Sequence, residues 1–377
     1  MPWFVLSGRN VGFRIGKWAP DFEATVPVIK DVLYGLSDAT SVPTGVTIFT
    51  NPCFLNEVDI DMSAGINPIV ALGVENIASL EEFVVRAQNV RTRFTVQSQQ
   101  AGATSGPIDF VHNLISGATR LGTSVGANTY HLPPYFLDFF VVEPRVGALG
   151  TPVRVWRLSA PFAFIRNLRW TQRPEDAAQL EITWFVPYIF FGDVGTSVPT
   201  LSSYDASAGV LIVREAVFDI ESEESDRTDN VLDLDTFQSQ RIVTDFSIEI
   251  NNDLREVYTA SLPSDMDEPN EAVRRTLRVF NAIFEGRSTI TSSFTVIYPG
   301  GLKGSLNLAL PQVLKKISFT YYESAGAGAT EPPVPVYSLI LRHAKVLDSR
   351  VALATEQQIV LTTNVQAMDI EAVLRPS

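Results

Sequence analysis

The residue pattern most suggestive of chemistry is Gly122-Thr-Ser124-Val-Gly126, which matches the nucleophile elbow G-x-S-x-G. In that motif a serine on a strand-to-helix turn attacks an acyl carbon, served by a later acid and histidine. The flanking residues do not supply this context. Ser116-Gly-Ala-Thr-Arg-Leu121 does not read as a buried strand, and His131-Leu-Pro-Pro134 stops any helix that would follow the serine. His112, His131 and His343 stand far apart, without metal-ligand spacing. Asp59 and Asp61 share one face of a strand, whereas glycoside hydrolysis needs two carboxyls opposed across a cleft. Gly300-Gly-Leu-Lys-Gly-Ser305 and Gly326-Ala-Gly328 lack the phosphate-loop pattern. The expectation is a protein that is not an enzyme, with no catalytic, cofactor-binding or metal-ligating residue.

The elements available to position these residues are mostly strands. Val58-Asp-Ile-Asp-Met62, Val153-Arg-Val-Trp-Arg-Leu158 and Phe246-Ser-Ile-Glu-Ile250 alternate apolar and polar with period two, giving each a dry and a wet face. Clusters of Gly, Pro, Ser and Asn separate such runs, as over 195–203 and 325–335. Two helices are expected. One spans 79–88, with Ser79 as N-cap and Glu82 completing a capping box. The other spans 271–284, with Val273, Leu277, Phe280 and Phe284 on one face.

Composition narrows the function classes. A hydrophobic content of 45% lets each half bury a core of its own. A net charge of −13 argues against gripping nucleic acid, which needs clustered Lys and Arg. Such a surface suits a wall along which a polyanion slides. Cys53 is the only cysteine, so no intrachain disulfide forms. The first residues carry no signal-peptide pattern, and no run reaches the ~18 apolar residues that cross a bilayer. The expected compartment is the cytosol, or a particle assembled there.

Internal repetition organises the chain. Leu137-Asp-Phe-Phe-Val-Val-Glu143 returns as Ile317-Ser-Phe-Thr-Tyr-Tyr-Glu323, at a shift of 180. Pro152 to Trp156 returns as Pro333 to Tyr337 at 181, and Leu180-Glu-Ile-Thr183 as Ile359-Val-Leu-Thr362 at 179. Upstream, Val58 to Met62 matches Phe246 to Ile250 at 188, and Arg93 to Val96 matches Ser293 to Val296 at 200. The joint falls near 195–230, where the acidic run 219–230 reads as a solvated linker or edge loop. The expected fold is α+β and β-dominated: two tandem β-sandwich or half-barrel domains, 1–200 and 201–377, each with a flanking helix. Segment 97–136 has no counterpart and no assignment.

Thr244 to Tyr258, the helical run after it and Thr291 to Val296 resemble the tail tube proteins of long-tailed bacteriophages. The ending, Leu339 to Asp348 and Gln358 to Ala367, is similar to how those proteins finish. The resemblance is clearest over 240–377 and fainter over 50–190. It implies a structural virion protein of the tail, assembled in the host cytoplasm. Six tube domains would form a ring whose inner strands join into a barrel, and rings would stack into a channel for genome delivery. With two domains per chain, homotrimers would complete a pseudo-hexameric ring. The partners implied are other copies, other tail proteins and DNA in transit without specific binding; no membrane is involved. The lumen of such tubes is typically acidic, and Asp59, Asp61 and Glu249 are the residues expected to face it, position 249 repeating position 61. Loops 97–136 and 259–270 are the expected stacking elements. The rival expectations are a distal tail or baseplate ring protein, a β-sandwich binding module, and a hydrolase using Ser124.

Overall fold

A computed structural model describes residues 11–19, 22, 26–36, 41–61, 88–98, 106–119, 132–143, 154–173, 176–187, 189–196, 199, 208–211, 216–222, 243–256, 269, 273, 283–298, 315–322, 335–352 and 359–374. Among them, fifteen strands join in one antiparallel sheet and two helices of more than one turn pack on it. The first half holds β1 (Val11–Trp18), α1 (Val26–Gly35), β2 (Val46–Ile48), β3 (Phe54–Asp61), β4 (Gln88–Thr95), α2 (Pro107–Ala118), β5 (Tyr135–Glu143), β6 (Arg154–Gln172), β7 (Gln179–Val186) and β8 (Phe190–Asp193). The second holds β9 (Ala216–Ser222), β10 (Val243–Glu256), β11 (Ile283–Tyr298), β12 (Lys315–Tyr322), β13 (Pro335–Ala352), β14 (Ile359–Ala367) and β15 (Asp369–Leu374).

Two long strands let the sheet fold over itself. The first part of β6 pairs with β5 and β8, and its last part with β7 and β10. Likewise β13 pairs first with β12 and β15, then with β14. Apolar side chains meet between the layers so formed. The Phe246 ring stacks on Phe319 at 4.3 Å, although β10 and β12 are not sheet neighbours. Phe13 meets Phe94 at 6.0 Å in the same way across β1 and β4.

The pairings of the two halves correspond. β3·β4, β4·β7, β7·β6, β6·β5, β5·β1 and β6·β8 recur as β10·β11, β11·β14, β14·β13, β13·β12, β12·β9 and β13·β15. Bulges recur too. Those at Asn56 and Thr244 stand at a shift of 188, those after Tyr135 and Lys315 at 180, and those at Arg166 and Leu347 at 181. A bulge breaks the ladder at one place, so it marks register more sharply than side-chain alternation does. Two of the sequence offsets are thereby corrected. Leu55 and Val243 each precede their bulge, and their partners are Phe94 and Val296, which makes the fourth-strand offset 202 and not 200. Phe94 then pairs with Leu180 and Val296 with Leu361, which makes the next offset 181 and not 179. A slip by one full pleat keeps every side chain on its face, so short apolar runs match equally well there.

The expectation of a separate core in each half is corrected. One apolar cluster runs from Phe13 to Ile370. It is continuous because β10 adds directly to β6, and Trp170 on β6 reaches into the second half. The Trp170 ring lies 5.7 Å from Tyr321 and 6.1 Å from Tyr337. Its Nε1–H donates to the Tyr321 hydroxyl at 3.2 Å, which in turn donates to Gln172 Oε1 at 3.1 Å. Burial pushes the Tyr321 hydroxyl well up, so it stays protonated. Tyr321→Phe leaves both Trp170 Nε1 and Gln172 Oε1 without this partner; a loss of about 1–3 kcal/mol is expected in denaturant unfolding.

The helices differ from expectation. Residues 79–87 lie outside the described residues, and Gln88 already belongs to β4. In the 271–284 run, Val273 is helical, but Ile283 and Phe284 pair with Glu256 and Arg255 in β11, so Phe284 is not on a helix face. The unassigned 97–136 segment contains α2. Pro107 stands in its first turn, the Gly106 N–H donates to Asp109 Oδ2 at 2.6 Å, and Ile108, Val111, Leu114, Ile115 and Ala118 are buried. That apolar stripe holds residues 107–118 in the core and removes them from the expected stacking loop. α1 buries Ile29, Val32 and Leu33 against Trp18, Phe136 and Phe162 in a second, outer cluster. The run expected as an acidic loop begins as strand: Asp219 to Ser222 pair with Ser318 to Lys315 in β9·β12, and Ile220 is buried.

Candidate functional site

The polar face of β3-β4-β7-β6-β10-β11-β14-β13 carries rows of charged and polar strand residues. Alternation puts Val58 and Ile60 against the core and leaves Glu57 and Asp59 exposed. In β10 the same rule buries Phe246, Ile248 and Ile250 and leaves Ser247, Glu249 and Asn251 outward.

Register across five strands builds a charge ladder. Glu57 stands opposite Arg93, Arg93 opposite Glu181, Glu181 opposite Arg169, and Arg169 opposite Glu249. Arg93 lies 3.0 Å from Glu57 and 3.7 Å from Glu181, and Arg91 lies 3.6 Å from Glu181. These side chains are about half exposed, so each pair contributes ~0–1 kcal/mol. Their main effect is cancellation of charge. The neighbouring row is Asp59, Arg91, Thr183, Asn167, Asn251, and Asn167 Nδ2 donates to Glu249 Oε1 at 2.6 Å. The row from Asp59 to Asn251, with Arg166 and Asn89, lines a shallow depression. The second half is less charged. Its rows are Thr291–Gln366–Lys345, Ser293–Asn364–Asp348 and Thr295–Thr362–Arg350.

Of the acids singled out in the sequence, two have described side chains on this face, and Asp61 has a register place. Asp59 is exposed and Glu249 half-buried, four strands apart, roughly 19 Å at about 4.8 Å per strand. Asp61 ends β3 opposite Asn89, and Glu249 takes the same register place opposite Thr291, the counterpart of Asn89 at the corrected offset. The arginines opposite these acids went unremarked in the sequence. Their signal is the alternation of Gln88-Asn-Val-Arg-Thr-Arg-Phe-Thr95, whose even members Asn89, Arg91 and Arg93 share one face. The face is therefore a balanced surface and not an acidic one.

A buried charge cluster lies in the other layer. Asp138 on β5 accepts from Arg14 Nε at 2.6 Å and from Arg157 Nε at 2.9 Å. Arg157 also donates to Leu36 O, and both arginines donate to Ser41 O, each at 3.0 Å. Burial raises the Asp138 carboxyl, and the guanidiniums of Arg157 and Arg14 oppose that rise. The corresponding positions of the second half, at shifts of 180 and 181, are Ser318 and Ser338.

Little else has a reactive environment. Burial pushes the Cys53 thiol up to about 12, so it is a poor nucleophile. Burial lowers His112 and keeps its imidazole neutral. Ser124 and His131 lie outside the described residues, and His343 is exposed at the β12·β13 bulge. Among the described residues, no three His, Cys, Asp or Glu are grouped to hold a metal ion, and no helix is long and apolar enough to cross a membrane. Protein-family models and curated protein sequences were both searched, and neither gives a match to the chain.

Proposed function

We propose that the chain is a structural subunit of a hollow tube, the tail tube of a long-tailed bacteriophage. Each chain supplies two tube domains, about 1–200 and 201–377, and three chains close a pseudo-hexameric ring. The observation that carries this reading is the recurrence of six strand pairings and three bulges in both halves, with β10 of the second half added to β6 of the first. The second half joins the first by extending its sheet through β10 and β6. Such a head-to-tail join closes into a ring if the rotation permits, and closure removes unpaired edges.

The polar face would then line the channel. Its arginines stand beside carboxylates, and the second half contributes mainly hydroxyls and amides. Phosphate binding draws on clustered, uncompensated Lys and Arg. This surface offers DNA few such cations, so a genome would slide past it. The wall differs from the acidic lumen that the resemblance implies: repulsion is replaced by local neutrality. Other copies and other tail proteins would be the partners, and the virion tail the destination.

Negative-stain microscopy of concentrated protein tests the proposal, with stacked rings enclosing a channel as the expected image. Isolated rings would favour a tail-end ring protein. Compact monomers at all concentrations would overturn the tube in favour of a binding module.

A further inference from the structure

The join within the chain specifies the join between chains, and we infer that β3 of one copy pairs antiparallel with the end of β13 in a second copy. The register places Asp61 opposite Arg350, Ile60 opposite Val351 and Asp59 opposite Ala352. The inference rests on the head-to-tail reading above, but not on the identity of the tube.

The two edges concerned are the counterparts of the two already joined. Within the chain, β6·β10 sets Glu249 opposite Arg169, Ile248 opposite Trp170 and Ser247 opposite Thr171. The bulges at Asn56 and Thr244 relate β3 to β10 by a shift of 188, and those at Arg166 and Leu347 relate β6 to β13 by a shift of 181. Applying both offsets turns Glu249 with Arg169 into Asp61 with Arg350. Among the described residues, β3 pairs only with β4, and Lys345–Ala352 of β13 pairs only with β14. Among the described residues, Asp59–Asp61 of β3 and Arg350–Ala352 of β13 therefore each have a ladder partner on one side only.

Charge selects this match over others. The acid-to-arginine pairing of the internal joint survives the transfer although both residues come from different parts of the chain. Glu57, Asp59 and Asp61 make the β3 edge acidic, so two β3 edges repel, whereas β13 brings Arg350. A like-charged match costs several kcal/mol, which favours the unlike edge.

The double variant Asp61→Cys with Arg350→Cys tests the register directly. The native Cys53 is fully buried with a raised thiol pKa, so it adds no background. Mild oxidation, or a short bis-thiosulfonate, should give covalent dimers and trimers on a denaturing gel. The trimer should be the highest band if three chains close a ring. Asp61→Cys with Lys345→Cys displaces the pair along the strand by four ladder steps, roughly 14 Å, and should stay monomeric. Separately, Arg350→Asp should reduce assembly about tenfold or more, and adding Asp61→Arg should restore it. Monomers alone from the first variant, or cross-links through Lys345→Cys, overturn the inference. Microscopy of the same samples separates the two proposals. Tubes without the expected cross-link sink the register alone; cross-linked rings without tubes sink the tube alone.

Discussion

Trp170→Ala is expected to lower stability by about 3–5 kcal/mol and to split thermal unfolding into two transitions. Trp170 is 1% exposed and belongs to both halves: its backbone pairs with Ile248, and its ring lies against Tyr321 and Tyr337. Removing the indole leaves a cavity where the two halves of the core meet, and strips the Tyr321 hydroxyl of its donor. The wild-type chain should melt in a single transition, because one apolar cluster spans both halves. Calorimetry gives the readout. A variant that melts as one unit within ~0.5 kcal/mol of wild type, the range of an ordinary surface change, would show that Trp170 does not couple the halves.

Asp138→Ala should cost about 3–5 kcal/mol, the range for breaking a buried ion pair by removing one partner. The carboxylate is fully buried between two guanidiniums whose residues, Arg14 and Arg157, are themselves 3% and 0% exposed. Without it, their charge is met chiefly by the carbonyls of Leu36 and Ser41 and by the Phe140 ring, whose centroid lies 5.1 Å from Arg14 and 5.8 Å from Arg157. Those carbonyls follow α1, so the backbone at Leu36 and Ser41 should loosen first, with faster amide exchange there. Triple replacement by apolar residues of similar volume should recover most of the loss, because the cluster's desolvation penalty is removed together with its attraction. In the second half Ser318 and Ser338 take the places of Asp138 and Arg157, and Asp219, opposite Ser318, takes that of Arg14, so the same strand pairings close there without this ion triad. Unchanged stability of Asp138→Ala in urea unfolding would refute the account.

Much of the fold was legible in local pattern. Val58-Asp-Ile60 and Phe246-Ser-Ile-Glu-Ile250 are strands whose wet and dry faces fall where alternation puts them. Arg154 to Leu158 is strand as well, but its faces are not the expected ones: Val155 and Arg157 are buried, and Trp156 and Leu158 are half-buried on the other side. The recurrence of 137–143 at 317–323 survives as β5 and β12 at the same offset of 180. The helices were less legible. The α2 stripe sits in a segment without a counterpart, so the repeat offers no second copy that would mark it. The helical spacing of Val273 to Phe284 ran on into β11, because Ile283 and Phe284 suit either element and only their partners Glu256 and Arg255 decide between them.

The wet face shows the same division. Alternation alone placed Asp59 and Glu249 on exposed or half-exposed positions of their own strands. It could not supply the arginines beside them. Arg93 meets Glu57 and Glu181 through pairings between strands that are distant in the chain, and Arg169 meets Glu249 across the joint. A strand's own residues dictate which of its sides is wet, because that depends on neighbours two apart in the chain. Which charges lie next to one another, and whether two halves share one core, depend on register between distant segments. That register is set by bulges and ladder partners, which exist only once the sheet has formed.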